Sequence, residues 1–588
     1  MKPSLIRQLS MSLANNHHRY ESSTSTVVED EHSLEPITPI SQDDYLYDHT
    51  KPSRRQTPAE QEFKDLFQTL NGDVDSRISR SFTDTDSIRP ESPYGVISTH
   101  QNGSQKPLVA TVDEEKAVPK PPMPVGFWHT GLAQTRGAVL RKYSMTLLIL
   151  CVAIMGILSI YWGVIYDVKK NMPRVTVAVV SFEGLSPDKT HAPIVGPFVR
   201  NACEEEVSAR YDHLGYEFQD PARYDNDPMK VRLAVFNQDI WAAIIINANA
   251  TTLLWEAVET GNTTYDPRGA ASIIYNQARD VESYNFHIVP VLDSLALQIT
   301  TTFASSWAQR VLTNTSLDAS VYSRSPQALS PGISFTMLNL RPFDPPSAIP
   351  TITIGLIYLI IIAFFSFTFF IPTHMKFVLP NPAAPHPPLK FSQLIMYRWC
   401  ATITAYFFLS LSYSLVSLAF RIPFSNVPPA DPNFKVDGGW SKVQPVFNAN
   451  PYGHATWLVY WMLNFIGMAA LGLACENMAM LLSSLSSLPY SALFLIWWVI
   501  TNVSTGFYAL ELASDFYRWG YAWPLRQIVE GSKTLVFGTK NQLGLNFGIL
   551  FVWVAVSTAL FPFACWVMRR KATKDRQRAA APAAAVKQ

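Results

Sequence analysis

Polar and apolar positions are distributed along the chain in long blocks, which separate a tail, a soluble domain and a membrane region. Residues 1–142 are rich in Ser, Thr, Asp, Glu, Pro and Gln and poor in aromatic residues. Such a composition buries too little apolar surface to offset its ordering entropy, so a disordered cytoplasmic tail is predicted. Residues 143–166 carry no charge and are long enough, at about 1.5 Å per residue, to cross a hydrocarbon core of about 30 Å. Because no cleavable signal precedes them, they predict an uncleaved signal-anchor helix.

Five further apolar segments follow, each bounded by charge, proline or both. They cover 349–371, 395–420, 455–475, 490–510 and 545–567. Segments of this length and composition predict transmembrane helices. Arg398, near the start of its segment, is expected to snorkel to the lipid headgroups. The run 477–489, rich in Ser and ending in Pro, is expected to form a tight interfacial loop.

The region 168–348 alternates short β-rich runs with helical ones. Strands are predicted at Arg174–Val180, Tyr216–Gln219, Trp241–Asn247 and Ala271–Gln277, and helices at Gly196–Val207, Pro228–Asn237, Thr252–Glu259 and Ser283–Leu312. This alternation favours a small α/β domain with a partly parallel sheet. The predicted fold is therefore an α-helical polytopic membrane protein of six transmembrane helices, with an α/β extracytoplasmic domain inserted between helices 1 and 2.

Glycosylation sequons and basic flanks give the orientation. Sequons at Asn249, Asn262 and Asn314 all lie in the α/β domain, which predicts a lumenal or extracellular position for it. Both termini are then cytoplasmic, in agreement with the basic residues 141–142 and the basic tail 569–588. Two further sequons, at Asn102 and Asn502, fall in the tail and inside a span, where they are expected to be silent.

Composition supports lipid as the solvent for much of the chain. Of 588 residues, 48% are hydrophobic and only 16% are charged, well below the roughly 25% of soluble domains. The basic run that begins at Arg569 fits a stop-transfer flank or a merely solvated tail better than a nucleic-acid patch. Four of the five cysteines lie in apolar spans and only Cys203 lies in the outer domain, so no intradomain disulfide and no metal site are predicted.

Motifs for enzymatic chemistry are missing from the sequence. There is no Gly-x-x-x-x-Gly-Lys-Ser/Thr, no Gly-x-Ser-x-Gly and no His-Glu-x-x-His. We therefore do not expect this chain to hydrolyse ATP through a P-loop, and we predict no catalytic residue, cofactor or metal. An enzyme is disfavoured.

Polar residues inside the apolar spans are the candidate functional positions, because membrane proteins place pathways and proton relays at such residues. They are Asn464 within the fourth span, Glu476 and Asn477 at the cytoplasmic end of that span, and Asn502 within the fifth span. Two interpretations stay open for them, namely helix–helix hydrogen bonding with an interfacial carboxylate, or a substrate pathway.

The segment 511–540 mixes charges with aromatic residues. This pattern predicts one or two amphipathic helices at the membrane surface, with rings at headgroup depth and charges toward water. The charged positions assigned to this interfacial helix are Glu511, Asp515, Arg518, Arg526 and Glu530.

The order of one span, a large outer domain and five more spans resembles the membrane subunits of ABC-2-type exporters and the phage-infection proteins. The block Phe516–Leu545 resembles more closely the C-terminal signature of the fungal nitrosoguanidine-resistance family. Val177–Val180, Ala242–Ile246 and Ile274–Ala278 resemble the outer domain of that family. The resemblance covers about 140–570 and leaves out the N-terminal tail.

This resemblance implies a plasma-membrane protein that confers resistance to nitrosoguanidine-type compounds, by export or by altering lipid distribution. A non-transporting organiser or stress-response scaffold, and a receptor-like binder that uses the outer domain, are the alternatives. Membrane lipids are the expected partners, and nucleic acid is not. A homodimer or smaller unit without an ATPase subunit is predicted, because prolines crowd the loop 373–391 and exclude a long docking helix there.

Overall fold

The structure, a computed structural model, describes residues 124–185, 190–314, 323–377, 389–424, 443–485 and 490–585. Most of the predicted tail, with Asn102, lies outside these ranges, as does most of the proline-rich loop. The first long helix begins at Ala133. The basic residues 141–142 are therefore already helical and are continuous with the predicted first span.

The described ranges contain eleven α-helices of eight or more residues. They are α1 Ala133–Tyr166, α2 Val195–Ala209, α3 Pro228–Phe236, α4 Ala250–Thr260, α5 Val289–Leu312, α6 Ile357–Met375, α7 Phe391–Ala419, α8 Thr456–Leu485, α9 Tyr490–Gly506, α10 Pro524–Phe537 and α11 Leu543–Ala585. The strands are β1 Thr176–Ser181, β2 Gly215–Phe218, β3 Ala242–Ile246, β4 Ala271–Tyr275 and β5 Phe335–Asn339. Short helical segments include Val168–Asn171, Val281–Ser283, Tyr284–Ile288, Pro326–Leu329, Ile349–Ile352 and the 3-10 segment Asp515–Ala522.

The five strands form one mixed sheet in the order β2-β1-β3-β4-β5. Neighbours are parallel except β3 and β4, which run antiparallel with Ile244 opposite Ile273. All five residues of β3 are buried, as expected for a strand covered on both faces. The small, partly parallel α/β arrangement predicted from the sequence is confirmed.

Alternate residues of the strands supply two separate cores. Val177 and Val179 of β1 face a cluster that contains α5, whereas Ala178 and Val180 face a cluster built on α3. This period of two follows from the pleat of a strand. The strand β5 is absent from the sequence prediction, because its residues FTMLN are only partly buried and its pairing with β4 is a tertiary contact.

Within the described ranges, six helices are long and apolar enough to cross a membrane. They lie within Thr130–Tyr166, Val281–Leu312, Pro346–Met375, Phe391–Ala419, Gly453–Leu482 and Leu543–Asp575. One of the six contains α5, which buries Leu292, Leu295, Ile299, Phe303 and Trp307 in the core of the sheet domain. The helix α9 is shorter, at 17 residues, and packs against α1, α8 and α10.

The helix α8 lies at the centre of the helical region and contacts α6, α7, α9, α10 and α11. It continues through Asn477 to Leu485. The expectation of a loop beginning at residue 477 is therefore wrong for residues 477–485, because the apolar run after Glu476 extends the buried helix instead of leaving the core. The remaining residues of that predicted loop, 486–489, lie outside the described ranges.

The helix α10 joins the sheet domain to the helical region. All of its residues are buried except Arg526 and Glu530, which are half-buried. Lys533 donates a hydrogen bond to the carbonyl of Arg279 at 2.8 Å, and Arg341 donates to the carbonyl of Gly538 at 3.1 Å. These bonds connect the segments that follow β4 and β5 to the last turns of α10 and to Gly538 directly after it.

Candidate functional site

A cavity of about 490 Å³ lies between α6, α7 and α8. Most of its wall is apolar or aromatic. Its polar and aromatic lining includes Ser366, Phe367, Phe370, Thr373, His374, Tyr397, Cys400, Thr402, Thr404, Tyr406, Phe408 and Glu476. A concave, mainly apolar site with a few convergent polar groups is the ordinary form of a small-molecule pocket.

The carboxylate of Glu476 is held by two donors from α7. Arg398 donates a hydrogen bond to one of its oxygens, and the Thr402 hydroxyl donates to the other at 3.1 Å. The side chains of Arg398 and Glu476 are 0% and 2% exposed. The expectation that Arg398 snorkels to the headgroups is wrong, because a buried opposite charge on the neighbouring helix holds it inside the protein.

The rest of the Arg398 guanidinium faces sulfur atoms and aromatic rings. One of its terminal nitrogens lies 3.0 Å from the Met480 sulfur and 3.4 Å from the Met568 sulfur. The rings of Phe367 and Phe561 lie 5.8 and 5.6 Å from the guanidinium carbon. These soft, polarisable neighbours solvate the cation weakly, so Glu476 supplies its main stabilisation.

Two further polar side chains reach the cavity. The buried Tyr406 hydroxyl has no hydrogen-bond partner among the described residues, and its ring lies against Gly472, where an added Cβ would come within 2.4 Å of the hydroxyl oxygen. His374 lies 3.3 Å from the Tyr397 hydroxyl through Nδ1. The cavity therefore offers the edge of the Glu476 carboxylate and the His374 imidazole to a bound polar head, whereas the Tyr406 hydroxyl is enclosed against α8.

Of the four predicted pathway residues, Glu476 alone is among the residues that line this cavity. Asn464 donates to the Ser414 hydroxyl at 3.0 Å, and Asn477 donates to the Ser557 carbonyl at 2.8 Å. These two bonds join α8 to α7 and to α11. Asn502 donates to the Trp498 carbonyl and accepts from the Leu525 amide, which ties the start of α10 to α9. Each of the three asparagines therefore makes an interhelical hydrogen bond.

The five residues assigned to an interfacial helix fall into two settings. Asp515 and Arg518 lie on the 3-10 segment and pair at 3.0 Å, and Asp515 also pairs with Arg174 at 3.1 Å, next to β1. Glu511 accepts from the Tyr521 hydroxyl at 3.4 Å. Asp515 and Arg518 are exposed and Glu511 is half-buried, but the helix α10 that follows is enclosed by the protein.

Arg526 and Glu530 belong to the buried helix α10. Arg526 donates to the Thr505 carbonyl at 3.3 Å, and Glu530 pairs with Lys533 at 3.0 Å. Burial favours the neutral form of Glu530, but the cations Lys533 and Arg526 outweigh it and hold the pKa below its usual value. Asp280 has a raised pKa because burial outweighs the attraction of Lys533.

The sequons of the sheet domain differ in exposure. Asn249 is exposed directly before α4, whereas Asn262 and Asn314 are half-buried. The Asn262 side chain accepts from the Thr264 amide and hydroxyl at 2.9 and 2.7 Å. Asn502, by contrast, is fully buried between helices. In the described ranges, no group of three His, Cys, Asp or Glu residues is arranged to hold a metal ion.

Sequence reasoning missed the partner of Glu476. A signal was present, because Arg398 is the only charged residue of the stretch Phe391–Ala419 and Glu476 is the only one of Thr456–Leu485. One cation and one anion in neighbouring apolar spans pair with each other, since either charge alone in such a place is costly. His374 and Tyr406 carried no comparable signal, as their positions in the cavity depend on helix packing.

The profile of a family described as a protein of unknown function (DUF3533) matches residues 146–559. An uncharacterized endoplasmic reticulum membrane protein of Saccharomyces cerevisiae is 24% identical over 466 residues, which cover 77% of this chain and 84% of that protein. No solved structure gives a significant match. The relative and the six apolar helices together indicate a multi-pass membrane protein.

Proposed function

This chain belongs to the DUF3533 family of proteins of unknown function, and we propose that it binds an amphiphilic solute or lipid in the α6–α7–α8 cavity and moves it within or across the membrane. The observation that carries the proposal is the Glu476 carboxylate at the wall of an otherwise mainly apolar cavity. Ionisable residues inside membrane helices are typical of transport pathways.

The chemistry of the wall describes the class of ligand. Phe367, Phe370 and Phe408 offer apolar surface to a chain or ring, and Glu476 accepts hydrogen bonds from a polar head. A head bearing an amine, ammonium or guanidine-like group suits a carboxylate. Resistance to nitrosoguanidine-type compounds, by export or by altered lipid distribution, belongs to this proposal and is supported by the sequence resemblance.

The proposed topology has six spans, α1, α6, α7, α8, α9 and α11, with both termini in the cytoplasm. The sheet domain is then extracytoplasmic and inserted between the first two spans. Two observations support this topology. The helix α5 packs on the sheet, which in this topology lies outside the bilayer, and the domain carries three sequons. The 17 residues of α9 extend about 25 Å, close to the thickness of a hydrocarbon core.

Plasma-membrane residence is proposed from the resemblance, whereas the yeast relative is named for the endoplasmic reticulum. A fluorescent fusion scored against markers of both membranes decides between them. Transport without an ATPase subunit, by a homodimer or smaller unit with no enzymatic activity, completes the proposal.

A receptor-like role of the sheet domain is the second candidate, favoured by a cavity of about 740 Å³ at the carboxyl ends of β1 and β3. In open α/β sheets, ligands bind at the carboxyl ends of the strands where the strand order reverses, and here it reverses between β1 and β3. The Glu183 carboxylate already accepts from the amides of Gly196 and Thr251 there. This internal anion disfavours an anionic ligand at that place.

Reconstitution tests the leading proposal. The purified full chain in liposomes is assayed for movement of a fluorescent phospholipid between leaflets and for efflux of a cationic dye. Ala405→Phe places a ring in the cavity and is expected to abolish the movement of both probes. The control Ser412→Phe changes an exposed position of the same helix and is expected to retain the movement. Folded wild-type protein that moves neither probe, or equal loss in both variants, contradicts the proposal.

A further inference from the structure

The helix α11 continues beyond the apolar segment as one helix of 43 residues that ends at Ala585. Its apolar part stops at Met568, and Arg569, Arg570, Lys571 and Lys574 follow at once. The basic residues are therefore displayed on a rigid helix at the edge of the bilayer, and their directions are set by helical geometry.

Part of this basic stretch forms a cleft with the beginning of α7. Trp566, Arg569, Arg570 and Lys574 recur at spacings of three and four residues, which places them on one side of the helix. Phe391, the first residue of α7, lies opposite them, and the space between them is about 560 Å³. These five residues are named the basic aromatic cleft.

Aromatic rings hold the two arginines of the basic aromatic cleft. The Arg569 guanidinium lies over the Phe391 ring at 5.6 Å, and the Arg570 guanidinium lies over the Trp566 ring at 5.3 Å. Aromatic side chains at the end of a membrane helix lie at headgroup depth. The rings therefore present both planar cations at the level of the lipid phosphates.

The charges of the basic aromatic cleft are not neutralised within the part of the chain that the structure describes. None of the ion pairs found there involves Arg569, Arg570 or Lys574. The residues that line the cleft include no carboxylate. Three cations facing one cavity attract an anionic group from outside the chain.

We propose that the basic aromatic cleft binds the headgroup of an anionic membrane phospholipid. The two arginines suit its phosphate, because a planar guanidinium donates two parallel hydrogen bonds to phosphate oxygens. Lys574 suits a second negative group of the same head. A membrane lipid is favoured over a free phosphate, because the cleft adjoins the end of an apolar helix and Trp566 and Phe391 offer surface for the acyl region.

This site is distinct from the α6–α7–α8 cavity and does not depend on transport. Basic clusters directly beside a membrane helix bind the anionic lipids of the adjoining leaflet. Occupation of the basic aromatic cleft would link α7 to α11 through a lipid, and both helices contribute residues to the surroundings of Arg398.

Native mass spectrometry of the purified full chain in neutral detergent tests the site. Phosphatidylserine, phosphatidylcholine and the soluble head glycerophosphoserine are added separately in stepped concentrations. Arg569→Gln with Arg570→Gln is compared with Lys571→Gln with Arg578→Gln, which removes the same charge from the same helix outside the cleft. The cleft variant is expected to bind phosphatidylserine about 25-fold more weakly, since each basic residue near an anionic surface contributes about fivefold.

The wild-type protein and the control variant are expected to bind phosphatidylserine more tightly than phosphatidylcholine. The cleft variant alone is expected to lose this preference. Equal loss in both variants, or equal binding of both lipids by wild type, overturns the proposal. If glycerophosphoserine binds as tightly as phosphatidylserine, the site recognises a soluble phosphate group and the proposal of a membrane lipid is wrong. Arg569→Lys with Arg570→Lys keeps the charge and the fold. This variant must bind phosphatidylserine with intermediate affinity if the planar guanidinium groups donate paired hydrogen bonds to the phosphate.

Discussion

Arg398 of α7 donates a hydrogen bond to the carboxylate of Glu476 of α8, and both side chains are shielded from solvent. Each is the only charged residue of its helix. The pair therefore joins two membrane helices at one level and places a carboxylate oxygen at the wall of the α6–α7–α8 cavity. Removal of one partner leaves the other charge buried and uncompensated.

Glu476→Gln is expected to lower the free energy of unfolding by about 3–5 kcal/mol. The double variant Arg398→Met with Glu476→Met is expected to be much closer to wild type, because no buried charge remains. Thermal unfolding of the purified proteins in detergent measures both. Similar stability of the single and double variants would show that the charges are not coupled.

Gly538 tests the packing of the end of α10 against the segment that precedes α8. Its φ is +64°, and an added Cβ would lie 1.8 Å from the carbonyl oxygen of Ala449. Gly538→Ala is expected to cost more than the roughly 1–2 kcal/mol of a left-handed residue alone. The control Gly544→Ala meets nothing within 4 Å and lies in a helix, where Ala is favoured. Equal melting temperatures of the two variants would refute the close contact.

Glycosylation tests the orientation of the sheet domain. Treatment with a glycosidase is expected to shift the mass of the wild-type protein, and the shift should disappear when Asn249, Asn262 and Asn314 are all changed to Gln. The exposed Asn249 is expected to account for the largest part. A shift that persists in the triple variant, or one that requires Asn102, would invert the topology.

Cys203 tests the packing of α2 on the sheet. It is 0% exposed, and burial, with Glu206 and Glu204 nearby, raises the pKa of its thiol to about 12. Since the thiolate is the reactive form, a soluble maleimide at pH 7.5 should label Cys203 only after denaturation. The measurement uses a chain whose other four cysteines are changed to Ser. Rapid labelling of the folded chain would contradict the buried position.

Energy coupling is tested on the purified chain, which lacks a phosphate-binding Gly-Lys-Ser/Thr loop. ATP hydrolysis is expected to remain at background, because no P-loop is available to hold the nucleotide phosphates. Native mass spectrometry of the complex extracted from membranes provides the independent readout. A stoichiometric ATPase partner would restore the mechanism of ordinary ABC exporters.

Local pattern alone determined much of the architecture. Unbroken apolar runs predicted the membrane helices, since a bilayer demands about 20 apolar residues whatever their neighbours are. Alternation of short strands and helices predicted the mixed sheet, from Thr176 to Tyr275, because the periods of strand and helix are local properties. The basic flanks and sequons predicted an orientation by the same kind of local signal.

Tertiary structure decided the pairings and the depth of each residue. The sequence pattern predicted Arg398 at the lipid headgroups, and the packing of α7 on α8 places it against Glu476 instead. The same holds for α10, whose mixture of charges and rings predicts a surface helix but which is enclosed by neighbouring helices. The helix α5 is apolar enough to cross a membrane, but its buried residues pack in the core of the sheet domain, where the sequence pattern predicted it. Contacts between residues distant in sequence decide these cases, because burial depends on which surfaces meet and not on the apolar character of one segment.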